Sequence, residues 1–167
     1  LRLMRRRYVT DLFRHRIELI KEVMPHAFIG VDLIVGARGE TYECFARSSD
    51  FVRSLPISRL HVFPYSERPG TRALTDIDYV VSQEEKHRRA AVMGEISEAK
   101  LRGFYESFVG TERPVLVEHT SHEGIMHGFT DNYIKVSLPD DPSLYNTIVD
   151  VRLLSVGDDE MKGEVIK

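Results

Sequence analysis

The front of the chain alternates apolar residues at helical spacing with short, continuous apolar runs. After Thr10, apolar residues recur every three or four positions up to Met24, which precedes a proline, and this pattern predicts a helix of moderate length. Residues 27–35 are almost continuously apolar and rich in β-branched side chains. They predict a strand that is covered on both faces, as in a parallel sheet.

A second helix and a second strand complete a repeating unit. Beyond a turn at residues 36–41, spaced apolar residues predict a helix that ends near Pro56, and residues 58–63 predict another strand. This order is typical of a βαβ unit, so we expect an α/β fold here. Because the carboxyl ends of parallel strands share one edge, residues 36–41 and 64–71 should lie on the same face.

The back of the chain changes to short strands. Ser82 and Glu85 match a capping box, and helical spacing continues to Val109, as one long helix or two broken ones. After Gly110, five apolar runs separated by turn residues predict a small antiparallel barrel. These runs are residues 113–119, 124–130, 133–138, 147–155 and 161–167.

The composition is that of a globular protein. Hydrophobic residues make up 42% and charged residues 29% of 167, which argues against a disordered tail. The longest apolar runs are much shorter than the roughly 20 residues of a membrane span. Cys44 is the single cysteine, so the chain has no internal disulfide and no ligand set for an iron-sulfur cluster. The arginine-rich start lacks an initiating Met, and we interpret the chain as part of a longer protein.

The charge is distributed unevenly. Residues 1–110 carry a net charge of +3, whereas residues 111–167 hold 5 Lys or Arg against 11 Asp or Glu and carry −6. The arginines near the start could attract phosphates or simply be solvated. The net negative charge of residues 111–167 argues against extensive electrostatic binding of RNA.

The glycine pair Gly36 and Gly39 allows three interpretations. The first is a plain strand-to-helix turn, and the second is a weak phosphate-binding loop that lacks the remaining residues of the known fingerprints. The third is the GXXG loop of an RNA-binding KH domain. A KH domain places a helix before the loop, whereas the β-branched residues 31–35 favour a strand there.

Two further groups of residues have the chemistry of binding sites. His61, Phe63 and Tyr65 flank the second strand end and could line a pocket for a flat or charged ligand. In the back part, aromatic and basic groups of the kind that contact RNA are interleaved, although such aromatics are often core residues. These aromatic and basic residues of the back part are Arg113, His127, Phe129, Tyr133 and Lys135. His119, His122 and His127 lack companion ligands, so we predict no metal site, and no hydrolase motif is present.

Four ordered motifs resemble those of the radical S-adenosylmethionine methylthiotransferases, in particular the branch acting on threonylcarbamoyladenosine in tRNA. They are Leu3-Met4-Arg5-Arg6-Arg7-Tyr8, Asp32-Leu-Ile-Val-Gly-Ala-Arg-Gly-Glu-Thr41, His61-Val-Phe-Pro-Tyr-Ser-Glu-Arg-Pro-Gly-Thr71 and Gly128-Phe-Thr-Asp-Asn-Tyr-Ile-Lys-Val136. In the second motif, Ala37 and Arg38 replace the usual Phe-Pro. The resemblance implies an α/β plus all-β chain: the C-terminal part of a partial (β/α) radical-SAM barrel in residues 1–80, a helical connection in 81–110, and a five-stranded, OB-like TRAM barrel in 111–167.

The resemblance also implies a cofactor site. Enzymes of this family use S-adenosylmethionine and [4Fe-4S] clusters to install sulfur and a methyl group on adenine. The cysteines that bind the catalytic cluster have no counterpart here, so we expect no catalytic residue and no activity in this chain alone. Residues that would bind the cofactor fall into three groups: Val35, Gly36 and Gly39 by backbone approach, Arg5 or Arg6 by pairing with its carboxylate, and His61, Phe63 and Tyr65 around its adenosine.

The implied partner is tRNA, contacted by Arg113, His127, Tyr133 and Lys135. We expect a cytoplasmic protein that is separated from the N-terminal part of its parent and that either self-associates through the surfaces left uncovered or packs differently from the parent. The alternatives are a methylthiotransferase for isopentenyladenosine in tRNA or for a ribosomal protein, and a stand-alone KH-like RNA-binding module.

Overall fold

The structure, a computed structural model, describes residues 9–166, except for the side chain of Thr120. Two compact units divide between Lys100 and Leu101. In residues 9–166, no helix combines the length and the apolar character that a bilayer span requires.

The first unit is an α/β arrangement around two parallel strands. Its elements are α1 (Thr10–Val23), β1 (Gly30–Val35), α2 (Tyr42–Ser54), β2 (Arg59–Pro64), α3 (Arg72–Asp76) and the first part of α4 (Gln83–Glu106). β1 and β2 pair in parallel, from Gly30 opposite Arg59 to Val35 opposite Pro64. The predicted βαβ unit is therefore confirmed, whereas the short helix α3 was not predicted.

Hydroxyl caps determine where two of these helices begin. Thr41 Oγ1 accepts a hydrogen bond from the Cys44 amide at 3.3 Å at the start of α2. Ser82 Oγ accepts one from the Glu85 amide at 3.2 Å at the start of α4. Such bonds satisfy amides that have no partner within the helix. Of the two alternatives for the segment up to Val109, one unbroken helix is correct, and it ends at Glu106.

The core of the first unit lies between the sheet and the helices. Its members are apolar side chains from every major element, and Val35 and Met93 are completely buried. The cluster consists of Ile17, Ile29, Val35, Phe45, Val52, Leu55, Ile57, Leu60, Met93 and Ile96. This packing holds the carboxyl ends of β1 and β2 in a fixed position.

The second unit is a closed five-stranded barrel. The strands are β3 (Glu112–His122), β4 (Ile125–Thr130), β5 (Lys135–Pro139), β6 (Ile148–Val156) and β7 (Met161–Val165), in the order β3-β4-β5-β7-β6. All five predicted strands are present. The α/β plus all-β fold class is confirmed.

The prediction of a wholly antiparallel barrel was wrong, because β5 and β7 pair in parallel. The other four strand pairs are antiparallel. Strand directions cannot alternate all the way around a closed ring with an odd number of strands. Five strands therefore require at least one parallel pair, and this barrel places it where β7 closes the ring.

The barrel interior is apolar and tightly packed. Val115, Val136, Leu153 and Met161 are among its fully buried side chains. Gly163 is small for a packing reason: a Cβ there would lie 2.5 Å from Val151 Cγ1 and 2.7 Å from a methyl of Val136. Interior positions of small barrels alternate small and large residues in this way.

Candidate functional site

Two loops of the first unit meet at the carboxyl edge of its sheet. The Tyr65 amide, just beyond β2, donates a hydrogen bond to the carbonyl of Val35, the last residue of β1, at 2.8 Å. The prediction that residues 36–41 and 64–71 lie on one face is confirmed at their starting points. A strand, rather than a helix, precedes Gly36, so the structure does not favour the KH interpretation.

The glycine loop is held in a conformation that favours glycine. Gly36 has φ +73° and Gly39 has φ +80°, which is the left-handed region that costs other residues free energy. The Gly36 amide donates to Glu40 Oε1 at 3.0 Å, and the Gly39 amide donates to the Tyr79 carbonyl at 2.9 Å. Two loop amides are thus already used within the protein.

A buried arginine fixes the end of this loop. Arg89 is 2% exposed, and its guanidinium donates to Glu40 Oε1 at 2.6 Å, to the Glu40 carbonyl at 2.8 Å and to Glu85 Oε1 at 2.8 Å. Arg88 and Arg89 together lower the pKa of Glu85 to about 2. Sequence reasoning missed this network, since only the capping role of Glu85 has a local signal.

Arg38 joins the two loops. Its side chain donates to Glu67 Oε1 at 2.7 Å and to the carbonyl of Ile77 at 3.0 Å. The hydrogen bond from Arg38 lowers the pKa of Glu67. Arg38 occupies a position where the family motif usually has proline, so in this chain the departure from the motif supplies a contact between the loops.

A cavity of about 560 Å³ opens beside the second loop. Residues 64–67, residues 80–83 and Lys86 line it. Lys86 is only 3% exposed, and its ammonium lies 5.5 Å from the centre of the Tyr65 ring. The cavity therefore combines an aromatic face, several hydroxyl and amide groups, and one buried cation. Lys86 carries no motif signal and was not predicted.

The structure separates the predicted adenosine-binding residues. His61 and Phe63 line a different cavity, of about 300 Å³, together with Gly94, Ser97 and other residues of β2 and α4. Tyr65 lines the larger cavity. Val35 has no exposed surface, and its carbonyl already accepts the hydrogen bond from the Tyr65 amide. Arg5 and Arg6, the predicted partners of the cofactor carboxylate, lie outside the described residues.

The described part of the chain does not fit an iron-sulfur cluster. It contains no group of three or more His, Cys, Asp or Glu side chains arranged to hold a metal ion. Cys44 makes contacts near the start of α2, and hydrogen bonds with Thr41 and Arg47 lower the pKa of its thiol. One thiol cannot replace the cysteine set of a cluster.

Three of the four predicted RNA-binding residues of the barrel are engaged by carboxylates. Arg113 donates to both oxygens of Asp131 at 3.1 Å. Its guanidinium also lies 5.0 Å from the centre of the Phe108 ring. His127 and Lys135 both contact Glu160 Oε2 at 3.1 Å, and the hydrogen bond to Glu160 raises the pKa of Lys135.

Tyr133 has the most accessible ring of the predicted set. It is 72% exposed and has φ +63°, in the turn between β4 and β5. Beside this turn, three exposed apolar side chains and Lys135 lie in register across four strands. This row, which sequence reasoning missed, runs Ile148, Leu116, Phe129 and Lys135. Its members come from four separate strands and are brought together by the pairing of β6 with β3, β3 with β4 and β4 with β5.

Comparison with known proteins agrees with this architecture. Residues 106–166 match the family model of the TRAM domain. The chain is 31% identical, over all of its length and 38% of the relative's length, to the threonylcarbamoyladenosine tRNA methylthiotransferase MtaB of Bacillus subtilis. It is 31% identical, over 99% of its length and 38% of the relative's, to a tRNA-2-methylthio-N(6)-dimethylallyladenosine synthase of Aliarcobacter butzleri.

The tRNA-2-methylthio-N(6)-dimethylallyladenosine synthase of Actinobacillus pleuropneumoniae serotype 3 is 32% identical to the chain, over all of the chain and 35% of the relative's length. The chain thus spans a little more than a third of the relatives it matches. The names of these relatives differ in the modified nucleoside but share the methylthio modification of tRNA. The TRAM match and this similarity over the whole chain fit a C-terminal section of a tRNA methylthiotransferase.

Proposed function

We propose that the chain is the C-terminal section of an enzyme that methylthiolates the adenine ring of N6-threonylcarbamoyladenosine in tRNA. The observation that carries this proposal is the similarity of the whole chain to methylthiotransferases. The meeting of the loops after β1 and β2 at one sheet edge supports it, because ligands of parallel α/β sheets bind at that edge. Such an enzyme works in the cytoplasm, where tRNA is modified.

The first unit positions a cofactor in this proposal. S-adenosylmethionine supplies the methyl group and the radical chemistry of such an enzyme, with iron-sulfur clusters whose ligands this chain does not provide. Val35, Gly36 and Gly39 would hold the cofactor through their backbone, and His61, Phe63 and Tyr65 are the candidates for contacts with its adenosine. Arg5 and Arg6 remain the candidates for its carboxylate. The chain alone is expected to be inactive.

The second unit binds tRNA in this proposal. Tyr133 offers a base-sized aromatic face to solvent, and stacking of a base on such a ring stabilises binding by about 1–3 kcal/mol. Arg113, His127 and Lys135 would contact phosphates only by exchanging or sharing their carboxylate partners. Affinity should therefore depend more on stacking, and less on salt, than in a strongly basic RNA-binding domain.

The substrate is tested by expressing the complete gene in cells that lack their own methylthiotransferase. Mass analysis of the tRNA nucleosides should show a methylthio gain on threonylcarbamoyladenosine. A methylthio gain only on dimethylallyladenosine, which is the same nucleoside as isopentenyladenosine, would instead assign the protein to the methylthiotransferases that act on that nucleoside. No gain on any tRNA nucleoside would reject the proposal, and a ribosomal protein would be examined next.

The RNA-binding role is tested with this chain itself. Tyr133→Ala should weaken tRNA binding about 5- to 150-fold, which corresponds to about 1–3 kcal/mol. Tyr42→Ala is the matched control, since Tyr42 is 64% exposed in the first unit. Equal losses in both variants would refute the assignment to the barrel. Light scattering of the same samples tests the expected self-association.

A further inference from the structure

Lys86 is held rigidly at the wall of the larger cavity. Its aliphatic stem lies against Gly36, so closely that a Cβ on Gly36 would be 2.4 Å from Lys86 Cγ. Only 3% of the residue is exposed, so its stem is enclosed by the surrounding residues. Most lysines keep their charged end in water, so this placement calls for a reason.

The ammonium has no strong anionic partner within the chain. Among the described residues, no carboxylate oxygen lies within 4.0 Å of it. Glu67 is near enough for its charge to interact with Lys86, but it is bound to Arg38 at 2.7 Å. The Tyr65 ring, whose centre lies 5.5 Å from the ammonium, stabilises the charge only in part. An anion entering the cavity would give this cation the partner that the described residues do not supply.

We propose that Lys86 binds the carboxylate of the amino-acid substituent on the modified adenosine. This inference rests on the proposed function and adds the device that selects its substrate. A threonylcarbamoyl group carries a carboxylate, whereas a dimethylallyl group is wholly apolar. The polar residues Ser66, Ser82 and Gln83 beside Lys86 suit the first group. The charge of Lys86 also disfavours the dimethylallyl group, because a ligand without an anion leaves that charge unpaired.

Direct binding to this chain tests the proposal. Isothermal titration calorimetry with the free nucleosides should show that N6-threonylcarbamoyladenosine binds and N6-dimethylallyladenosine does not. Lys86→Met keeps an unbranched stem against Gly36 and removes the charge, so it should weaken binding at least about tenfold. The control Lys100→Met makes the same change on α4, where Lys100 instead donates to the Leu55 carbonyl at 2.6 Å.

A second arm needs no variant. The methyl ester of threonylcarbamoyladenosine has nearly the same shape without the charge, and it should bind the wild-type chain at least about tenfold more weakly than the acid does. This arm holds even if Lys86→Met folds poorly, which a thermal melt would reveal. Equal binding of acid and ester overturns the proposal, as does absence of acid binding to wild type. Loss of S-adenosylmethionine binding in Lys86→Met, with nucleoside binding intact, overturns the substrate assignment.

The failure of this inference differs from failure of the proposed function. If the complete gene with Lys86→Met still methylthiolates threonylcarbamoyladenosine as wild type does, Lys86 has no selecting role and the function stands. If the wild-type gene gives no methylthio gain on that nucleoside, the function fails whatever Lys86 binds.

Discussion

Replacing Gly36 by alanine should destabilise the first unit for two separable reasons. The backbone at Gly36 has φ +73°, and the new Cβ would lie 2.4 Å from Cγ of the buried Lys86. Gly70 offers a matched control, because it has φ +78° but no heavy atom within 4 Å of the position that a Cβ would take. The pair therefore shares the backbone cost and differs in the steric contact with Lys86.

The expected magnitudes follow from these two terms. A left-handed conformation costs an L-residue about 1–2 kcal/mol, and overpacking in an enclosed site costs about 1–3 kcal/mol. The loss of unfolded-state entropy offsets about 0.4–1 kcal/mol in both variants. Gly36→Ala should thus lower the free energy of unfolding by about 1–3 kcal/mol more than Gly70→Ala.

Urea unfolding followed by far-ultraviolet circular dichroism measures this difference. Because the chain has two compact units, hydrogen exchange of peptides from β1 and α2 should accompany it to assign the loss to the first unit. Equal destabilisation in the two variants would refute the claim that Lys86 is clamped against Gly36. So would faster exchange confined to the barrel.

Two further predictions concern the charged network behind the glycine loop. Arg89→Met should lower the free energy of unfolding in urea by about 3–5 kcal/mol, because it leaves Glu40 in a largely buried site without its partner. The control Arg102→Met breaks the exposed pair with Glu106 and should lower it by less than about 1 kcal/mol. Similar losses in the two variants would contradict the buried role of Arg89. The pKa of Glu85 is about 2 when folded against an ordinary value of 4.5, so its stabilisation is complete above pH 4.5 and is lost as the pH falls towards 2. Urea midpoints measured across that range should decline less steeply in Glu85→Gln than in wild type, and parallel declines would show that Glu85 is not the titrating group.

Local patterns predicted the elements well because each has a short-range cause. Thr41 and Ser82 cap helices through bonds to residues three positions away, and the alternation of apolar residues in the barrel follows from strand geometry. The βαβ order also determined which loops share an edge. These features depend on neighbours in sequence, so the sequence contains their signal.

The remaining features depend on distant pairings. Arg89 meets Glu40 across 49 positions, and Arg38 meets Glu67 across 29; nothing near either arginine indicates its partner. The helical arginine could equally have been solvated. Phe63 and Tyr65 also line different cavities, because Phe63 lies within β2 whereas Tyr65 lies beyond its end at Pro64.

The place of β7 also decides when the barrel can form on the ribosome. β5 and β6 are synthesised before β7, but they are not neighbours in the ring. Each therefore keeps an unpaired edge until β7 (Met161–Val165) pairs between them. Unpaired edges are templates for strands of other molecules. A nascent chain that stalls, or a message that ends, before Met161 should therefore yield a product prone to aggregation rather than a smaller functional barrel.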